Sequence, residues 1–239
     1  YILKKSNYLI CDSYKLINAA CEIGHEKRNC KFILFGTNVD YFKSHKNAFY
    51  VSDDKGLIYV GTNRNMEPIY DPITFLKAAK LLCKRTSKFR FIIANDGSLK
   101  SNIEKFIKDN NLQKYIKLIG KQNGEQNLKF FNSLDIYVST SLRDGGLAAS
   151  LAEAMSCERL TIAANNSDNP IYIKHGITGY LFENKDFKEL SDLIFDSSLK
   201  VNKSREIAKK GRKVIVEKYN YFEEMNKVNN IYKKFLKKN

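Results

Sequence analysis

The amino-acid sequence predicts an α/β fold in which helices cover both faces of a parallel sheet, together with part of a second α/β domain. Three observations support this class. Short runs of β-branched and aromatic residues alternate with helical patterns along most of the 239 residues. Most of these runs are near-continuous Ile, Val, Leu, Phe and Tyr, which is typical of strands covered on both faces. A polar, turn-rich stretch interrupts the alternation between Asp40 and Leu57.

The strands are predicted from runs of Ile, Val, Leu, Phe and Tyr. In chain order these runs are Tyr8–Cys11, Lys31–Phe35, Leu57–Val60, Phe89–Ala94, Ile116–Ile119, Asp135–Ser139, Leu160–Ala163 and Tyr180–Phe182. Helices are predicted where apolar residues recur at three- and four-residue spacing. They cover Ile73–Cys83, Asn102–Asn110, Glu125–Leu134 and most of the chain after Asp186.

The stretch from Asp40 to Leu57 is predicted to link two units. The chain before it has room for two strands and one helix, which is too little to bury a core alone. We therefore assign residues 1–50 to the end of a first domain and the linker, and residues 51–218 to a complete second domain. Residues 219–239 are predicted to form a basic helix that packs back towards the first domain. Because the chain begins at Tyr1 without an initiator Met, we expect it to be a fragment.

Composition restricts the class of protein. No apolar run is long enough to cross a bilayer. The five cysteines form no Cys-x-x-Cys pair, so we predict no zinc site and expect buried thiols in a reducing cytoplasm. The formal net charge is +15, and the last forty residues contain 13 Lys and Arg against 4 Asp and Glu. The partner of such a charge could be nucleic acid, an anionic membrane or a phosphorylated substrate. The alternative is that the lysines lie on solvated faces and have no partner.

The most informative segment is residues 139–155, with the sequence STSLRDGGLAASLAEAM. A predicted strand runs through a polar turn into Gly145 and Gly146, and a helix of small residues is expected to follow directly. The free N–H groups at such a helix start bind anions. Ser150 and Glu153 project from one face of that helix, and Glu153 is placed to accept hydrogen bonds from a ribose. The alternative is an ordinary helix start, with Asp144 as its cap and Glu153 solvated.

A second junction follows the strand Leu57–Val60, where the sequence GTNRNMEPIYDP leaves the sheet. Arg64 in this loop could hold phosphate oxygens with two parallel hydrogen bonds. The alternative is a solvated loop arginine.

The segment SLRDGGLAASLAEAM resembles the donor-site motif of the GT4-type retaining glycosyltransferases, which have the GT-B fold of two Rossmann-like domains. Further landmarks follow in the family's order, among them YVGTNRNMEPIY and HGITGYLF. The resemblance implies that Asp144 and Glu153 are the catalytic acids of the motif, with Glu153 on the ribose. It also implies that Arg64, Ser150 and the backbone of Gly145, Gly146 and Leu147 bind the donor, without a metal or cofactor.

This sequence departs from the motif at three places. The residue eight before Glu153 is Gly145, and Asp144 is the acid that could replace it. The position of a second phosphate-binding cation holds Ile69, so Tyr70, Lys77 or another cation could take that role, or phosphate binding is weaker. Glu158-Arg159-Leu160 stands where the family has Gly-x-Pro, a change expected to affect packing.

The predicted function is transfer of a hexosyl group from a nucleoside-diphosphate sugar to a glycan or lipid-linked acceptor in cell-surface polysaccharide or glycoconjugate synthesis. Because the family's N-terminal domain is largely missing, we expect donor binding without efficient transfer. The expected location is cytoplasmic, with peripheral contact to the anionic membrane face and no nucleic-acid partner. Two alternatives stay open: an epimerase or phosphorylase of the same fold, and a non-enzymatic basic Rossmann-like binding module.

Overall fold

The computed structural model describes residues 2–45 and 56–236, which form a small first unit and a larger second one. The first unit contains α1 (Ile2–Lys5), β1 (Leu9–Cys11), α2 (Tyr14–Glu22) and β2 (Cys30–Phe32), and its two strands are parallel. The second unit contains β3 (Ile58–Thr62), α3 (Pro72–Arg85), β4 (Phe89–Ala94), α4 (Lys100–Asp109), β5 (Ile116–Gly120), α5 (Gly124–Asn132), β6 (Ile136–Ser139), α6 (Ala149–Ser156), β7 (Leu160–Ala164), α7 (Asn169–Tyr172), β8 (Tyr180–Phe182), α8 (Phe187–Leu199) and α9 (Val201–Lys218). The helix α10 (Tyr221–Leu236) follows.

The second unit is built on a six-stranded parallel sheet in the order β5-β4-β3-β6-β7-β8. The order runs outward from β3 through β4 to β5, and then resumes on the other side of β3 with β6. This reversal opens a crevice between the loops that follow β3 and β6, where ligands of open parallel sheets bind. Helices α3, α4 and α8 pack on one face, and α6 packs with α9 on the other. The predicted fold class is confirmed.

Within the described residues, each predicted strand is present and its extent is nearly correct. β4 and β8 have the predicted bounds. β3 continues two residues further than predicted, because Gly61 and Thr62 still pair with β4. β2 ends at Phe32 instead of Phe35, because its partner strand ends at Cys11. The amide of Leu34 then donates to the Glu224 carboxylate of α10, at 3.2 Å.

The helix α3 shows how local sequence defines these elements. Asp71 precedes it in the left-handed conformation, and its carboxylate accepts hydrogen bonds from the Thr74 amide and hydroxyl. Pro72 occupies the first helical position, where no donor is needed. Lys84 and Arg85 lie in the last turn, where positive charge is favourable.

Residues 40–45 of the predicted linker pack against the second unit, and residues 46–55 lie outside the described residues. The ring of Phe42 meets Phe131 edge to face, with centroids 6.0 Å apart. The fully buried Arg159 donates to the Leu134 carbonyl at 2.8 Å and to the Ser44 hydroxyl at 2.7 Å. Arg159 therefore has a packing role, because its hydrogen bonds connect Ser44 of the linker to Leu134, which precedes β6.

The helix α10 returns to the first unit. Met225 and Val228 of this helix line an apolar cavity of about 670 Å³ with side chains of the first unit, and Tyr8 packs edge to face on Phe235. Of the predicted helix 219–239, residues 237–239 lie outside the described residues. No helix in the described ranges combines the length and apolarity that a bilayer span requires.

Candidate active site

A cavity of about 340 Å³ lies at the crevice between the two units. The first unit contributes Asp12 and residues 34–37, and the loop after β3 contributes Arg64, Ile69 and Tyr70. The loop after β6 and the start of α6 contribute the remaining wall, formed by Arg143, Asp144, Gly145, Leu147, Ala148, Ala149 and Ala152. The two junctions singled out in the sequence therefore meet at one place.

Arg64 is held by residues of the loop after β6 and of α6. Its Nε donates to Ser141 Oγ at 3.1 Å, one terminal nitrogen donates to Ser150 Oγ at 3.2 Å, and the other pairs with the Asp144 carboxylate. The guanidinium carbon lies 4.4 Å from the centre of the Tyr70 ring. Because only 17% of the side chain is exposed, the alternative of a solvated loop arginine is wrong.

Asp144 is nearly buried and does not cap a helix. Burial raises the pKa of its carboxyl group, and the charge of Arg64 acts in the opposite direction. Its Oδ2 atom is buried without a hydrogen-bond partner among the described residues. Its amide donates to Ser167 Oγ at 3.1 Å, which fixes the turn against the loop after β7.

The helix after the glycine turn starts later than predicted. α6 begins at Ala149, and its N-cap Ala148 makes no side-chain hydrogen bond. The two glycines do not open the helix because Gly146 has a φ of +62° and the chain stays non-helical through Ala148. The amides of residues 145–147 donate to no acceptor in the described part of the chain. They therefore remain free to bind an anion, although they lie outside the helix.

Gly146 lies directly against Asp12 of the first unit. A Cβ atom added there would overlap the carbonyl oxygen of Asp12 and lie 3.6 Å from its carboxyl carbon. Gly146 is thus required both by its left-handed backbone and by the first unit. Asp12 follows β1 directly and was not identified from the sequence, because the contact joins residues of separate units.

Glu153 lies on α6 next to Ala152, which lines the cavity, but Glu153 itself is not among the lining residues and is partly buried. Desolvation raises the pKa of its carboxyl group to about 7, and a hydrogen bond from Asn127 partly opposes this shift. The Asn127 amide nitrogen lies 3.2 Å from Glu153 Oε2. Ser150 bonds to Arg64 instead, so these two residues of α6 have different partners.

The second cation of the cavity is Arg143. Ile69 lines the wall, Tyr70 stacks on Arg64, and the exposed Lys77 lies 5.5 Å from the Phe187 ring on α8. Arg143 is exposed, lines the cavity and has no ion-pair or hydrogen-bond partner among the described residues. Its position next to Asp144 in the turn was the sequence signal that could have identified it.

A model of the glycosyl transferases group 1 matches residues 40–214. The chain belongs to this family. One relative, the poly(ribitol-phosphate) alpha-N-acetylglucosaminyltransferase from Staphylococcus aureus (strain COL), is 32% identical to this chain over 162 residues. The match covers 67% of this chain and 32% of that enzyme. The amylovoran biosynthesis glycosyltransferase AmsK from Erwinia amylovora is 26% identical over 124 residues, covering 50% of this chain and 30% of that protein. The chain thus spans about a third of the length of these relatives.

The family assignment agrees with the fold of both units. The structure of Anabaena HepE in complex with UDP-glucose superposes on 96% of this chain and 64% of the HepE chain, with a TM-score of 0.84 and 16% sequence identity. At this identity the likeness concerns the fold alone. It confirms the predicted GT-B-like arrangement.

Proposed function

We propose that this chain carries the nucleotide-sugar site of a retaining glycosyltransferase that acts in cell-surface polysaccharide or glycoconjugate synthesis. One observation carries the proposal: Arg64 lines the same cavity at the crevice of the sheet as Gly145 and Leu147, two residues of the glycine turn whose amides have no acceptor among the described residues. Such a pairing of a guanidinium with backbone donors suits a diphosphate. The names of the Staphylococcus and Erwinia relatives support a polymer of the cell surface as the acceptor.

The donor is proposed to lie with its diphosphate against Arg64, Gly145, Gly146 and Leu147, and with its ribose towards Glu153. When the bond between the anomeric carbon and the phosphate oxygen breaks, negative charge increases on the departing nucleoside diphosphate. Fixed donors in a partly enclosed site stabilise this charge. We propose that Arg64, supported by Arg143, does so without a metal ion or other cofactor.

UDP is the proposed nucleotide. Support comes from the similar fold of HepE, which binds UDP-glucose. Since the chain spans about a third of its relatives' length, we propose that it binds the donor but transfers the sugar inefficiently by itself.

A location at the cytoplasmic membrane face is also proposed. The end of α10 exposes Tyr232 and Leu236 beside Lys233 and Lys234. Aromatic and basic side chains together favour an anionic lipid surface. Pelleting with anionic vesicles should decrease in the variant Lys233→Glu/Lys234→Glu, and unchanged pelleting would exclude this contact.

The main test is calorimetric titration of the chain with UDP-, GDP- and CMP-sugars. We expect one of the diphosphate donors to bind, and Glu153→Ala to weaken that binding by about tenfold, the scale of a lost hydrogen bond to a charged group. The exposed Glu104→Ala on α4 is the matched control and should bind as the unaltered chain does. If no nucleotide sugar bound, or if only salt-sensitive binding to any polyanion appeared, the proposal would be wrong.

A further inference from the structure

A row of hydrogen-bonded side chains connects Glu153 to the strands of the sheet. Asn127 of α5 donates to Glu153 Oε2 at 3.2 Å, and Asn63 in the loop after β3 donates to Asn127 Oδ1 at 2.9 Å. Asn63 Oδ1 in turn accepts from the Tyr137 hydroxyl of β6 at 2.8 Å. Four separate elements of the chain thus contribute one residue each.

The carboxylate determines the direction of this row. An ionised carboxylate only accepts hydrogen bonds, so Asn127 must present its NH₂ group to Glu153. The Asn127 oxygen then faces Asn63, whose NH₂ group donates to it, and the Asn63 oxygen faces the Tyr137 hydroxyl. Asn95, which follows β4, also donates to the Asn63 carbonyl at 3.1 Å and holds this loop in place. The network is therefore satisfied when Glu153 is ionised.

The same network leaves one side of Glu153 available. Oε2 is bonded to Asn127, whereas Oε1 has no partner in the described ranges and is not among the buried atoms. A carboxylate that is fixed at one oxygen and open at the other can accept a hydroxyl group in a defined direction.

We propose that Asn127 is a positioning residue. Its amide holds Glu153 in the ionised state and in the orientation in which the carboxylate accepts hydrogen bonds from the ribose hydroxyls of the donor. This inference rests on the proposed function, because it assumes that Glu153 binds the ribose.

The surroundings of Glu153 support a specific role for Asn127. Burial raises the pKa of Glu153 to about 7, and the Asn127 hydrogen bond is the contact that favours the charged form. The charge of Glu153 also acts on Tyr137 and Cys157. Burial raises the pKa of both of these groups to about 12. Both stay neutral near pH 7. Two charged groups of the cavity, Arg64 and Asp144, pair with each other.

The experiment measures the affinity for UDP-glucose by calorimetry between pH 5.5 and 9, for the unaltered chain and for Asn127→Leu. UDP-glucose is chosen because its diphosphate has no terminal phosphate that titrates in this range. We expect the affinity of the unaltered chain to rise with pH through about 7. In Asn127→Leu the midpoint should move upward by roughly one pH unit, so binding at pH 7 should be several-fold weaker. The difference should decrease towards pH 9.

Asn127→Asp is a second variant of nearly unchanged size. Its added carboxylate disfavours the ionised form of Glu153, so its midpoint should move further upward. Asn102→Leu, at an exposed position of α4, is the matched control and should titrate like the unaltered chain. A UDP-glucose analogue without ribose hydroxyls should bind equally to all variants.

The outcomes separate the two proposals. If Glu153→Gln leaves UDP-glucose binding unchanged at every pH, the ribose role of Glu153 is wrong. If Glu153→Gln weakens binding but Asn127→Leu and Asn127→Asp keep the original midpoint, only the positioning role of Asn127 is wrong. A loss of affinity that is equal at all pH values would also contradict it, because that result indicates a purely structural effect.

Discussion

The Arg64 guanidinium and the Asp144 carboxylate form an ion pair between the loops after β3 and β6, although 80 residues separate them in the sequence. The pair exists because β3 and β6 are neighbours in the sheet. It places both candidate residues at the cavity, but it also commits one Asp144 oxygen to Arg64. Asp144 therefore orients the guanidinium and at the same time lies close to the proposed diphosphate.

The first prediction concerns this pair. Asp144→Asn keeps an acceptor for Arg64 and removes a negative charge beside the proposed diphosphate, so UDP should bind about threefold more tightly, the scale of one charge interaction that the solvent of an open cavity screens. Arg64→Ala should instead weaken UDP binding by at least about tenfold. Calorimetry with UDP measures both effects. A loss in Asp144→Asn as large as that in Arg64→Ala would show that phosphate binding requires the carboxylate.

The second prediction concerns the contact of Gly146 with Asp12. Gly146→Ala must adopt a positive φ and displace the Asp12 carbonyl, so the free energy of unfolding should fall by about 1–3 kcal/mol. Gly145→Ala is the matched control, because its Cβ atom would meet nothing within 4 Å and Gly145 lacks a positive φ. Urea unfolding compares the two variants. Equal stability would mean that the two units do not approach each other at Gly146.

The third prediction is a pH dependence of stability that depends on Glu153. Its pKa in the folded chain, about 7, lies above the ordinary value of 4.5, so the folded state binds the proton more tightly than the unfolded state. The resulting stability is present below pH 4.5 and is lost as the pH rises through 7. Glu153→Gln should therefore be more stable than the unaltered chain at pH 8, by about 2 kcal/mol after allowance for partial exposure. The two should be nearly equal at pH 4.5, and thermal unfolding at both pH values provides the check.

The fourth prediction assigns the second cation. Arg143→Ala should weaken UDP binding by about fivefold at low salt, and the effect should decrease as salt increases. Lys77→Ala removes an equal charge from α3, away from the cavity, and should leave the affinity unchanged. Equal losses in both variants would indicate a general effect of net charge.

The local sequence predicted the strands well because short runs of Ile, Val, Phe and Tyr between turn residues favour strands over other local structures. Phe89–Ala94, which is apolar except for Arg90, and the apolar run Tyr180–Phe182 are bounded by turn residues, and both are strands with those bounds. The glycine turn was also identified, because two adjacent glycines after an apolar strand are informative without knowledge of contacts. The start of α6 was predicted too early, because the sequence does not show that Gly146 adopts a left-handed conformation against Asp12.

The site residues that were missed have partners distant in the sequence. Asn127 lies in the middle of α5, and nothing near it along the chain indicates that it meets Glu153. Asn63 precedes Arg64 in the same loop but points to Asn127 instead of the cavity residues. Lys77 was considered as a replacement for the cation that is absent at Ile69, yet α3 directs it to Phe187.

The sequence alone determined the alternation of strands and helices, and with it the parallel sheet whose strand ends meet at one edge. It also determined which loops carry an arginine, an acid and two glycines. Only the tertiary structure decided that β3 lies beside β6, because the order of strands depends on packing between distant segments. The pairing of β3 with β6 brings Arg64 to Asp144 and Asn63 to the Tyr137 hydroxyl, and no short-range sequence pattern predicts these contacts.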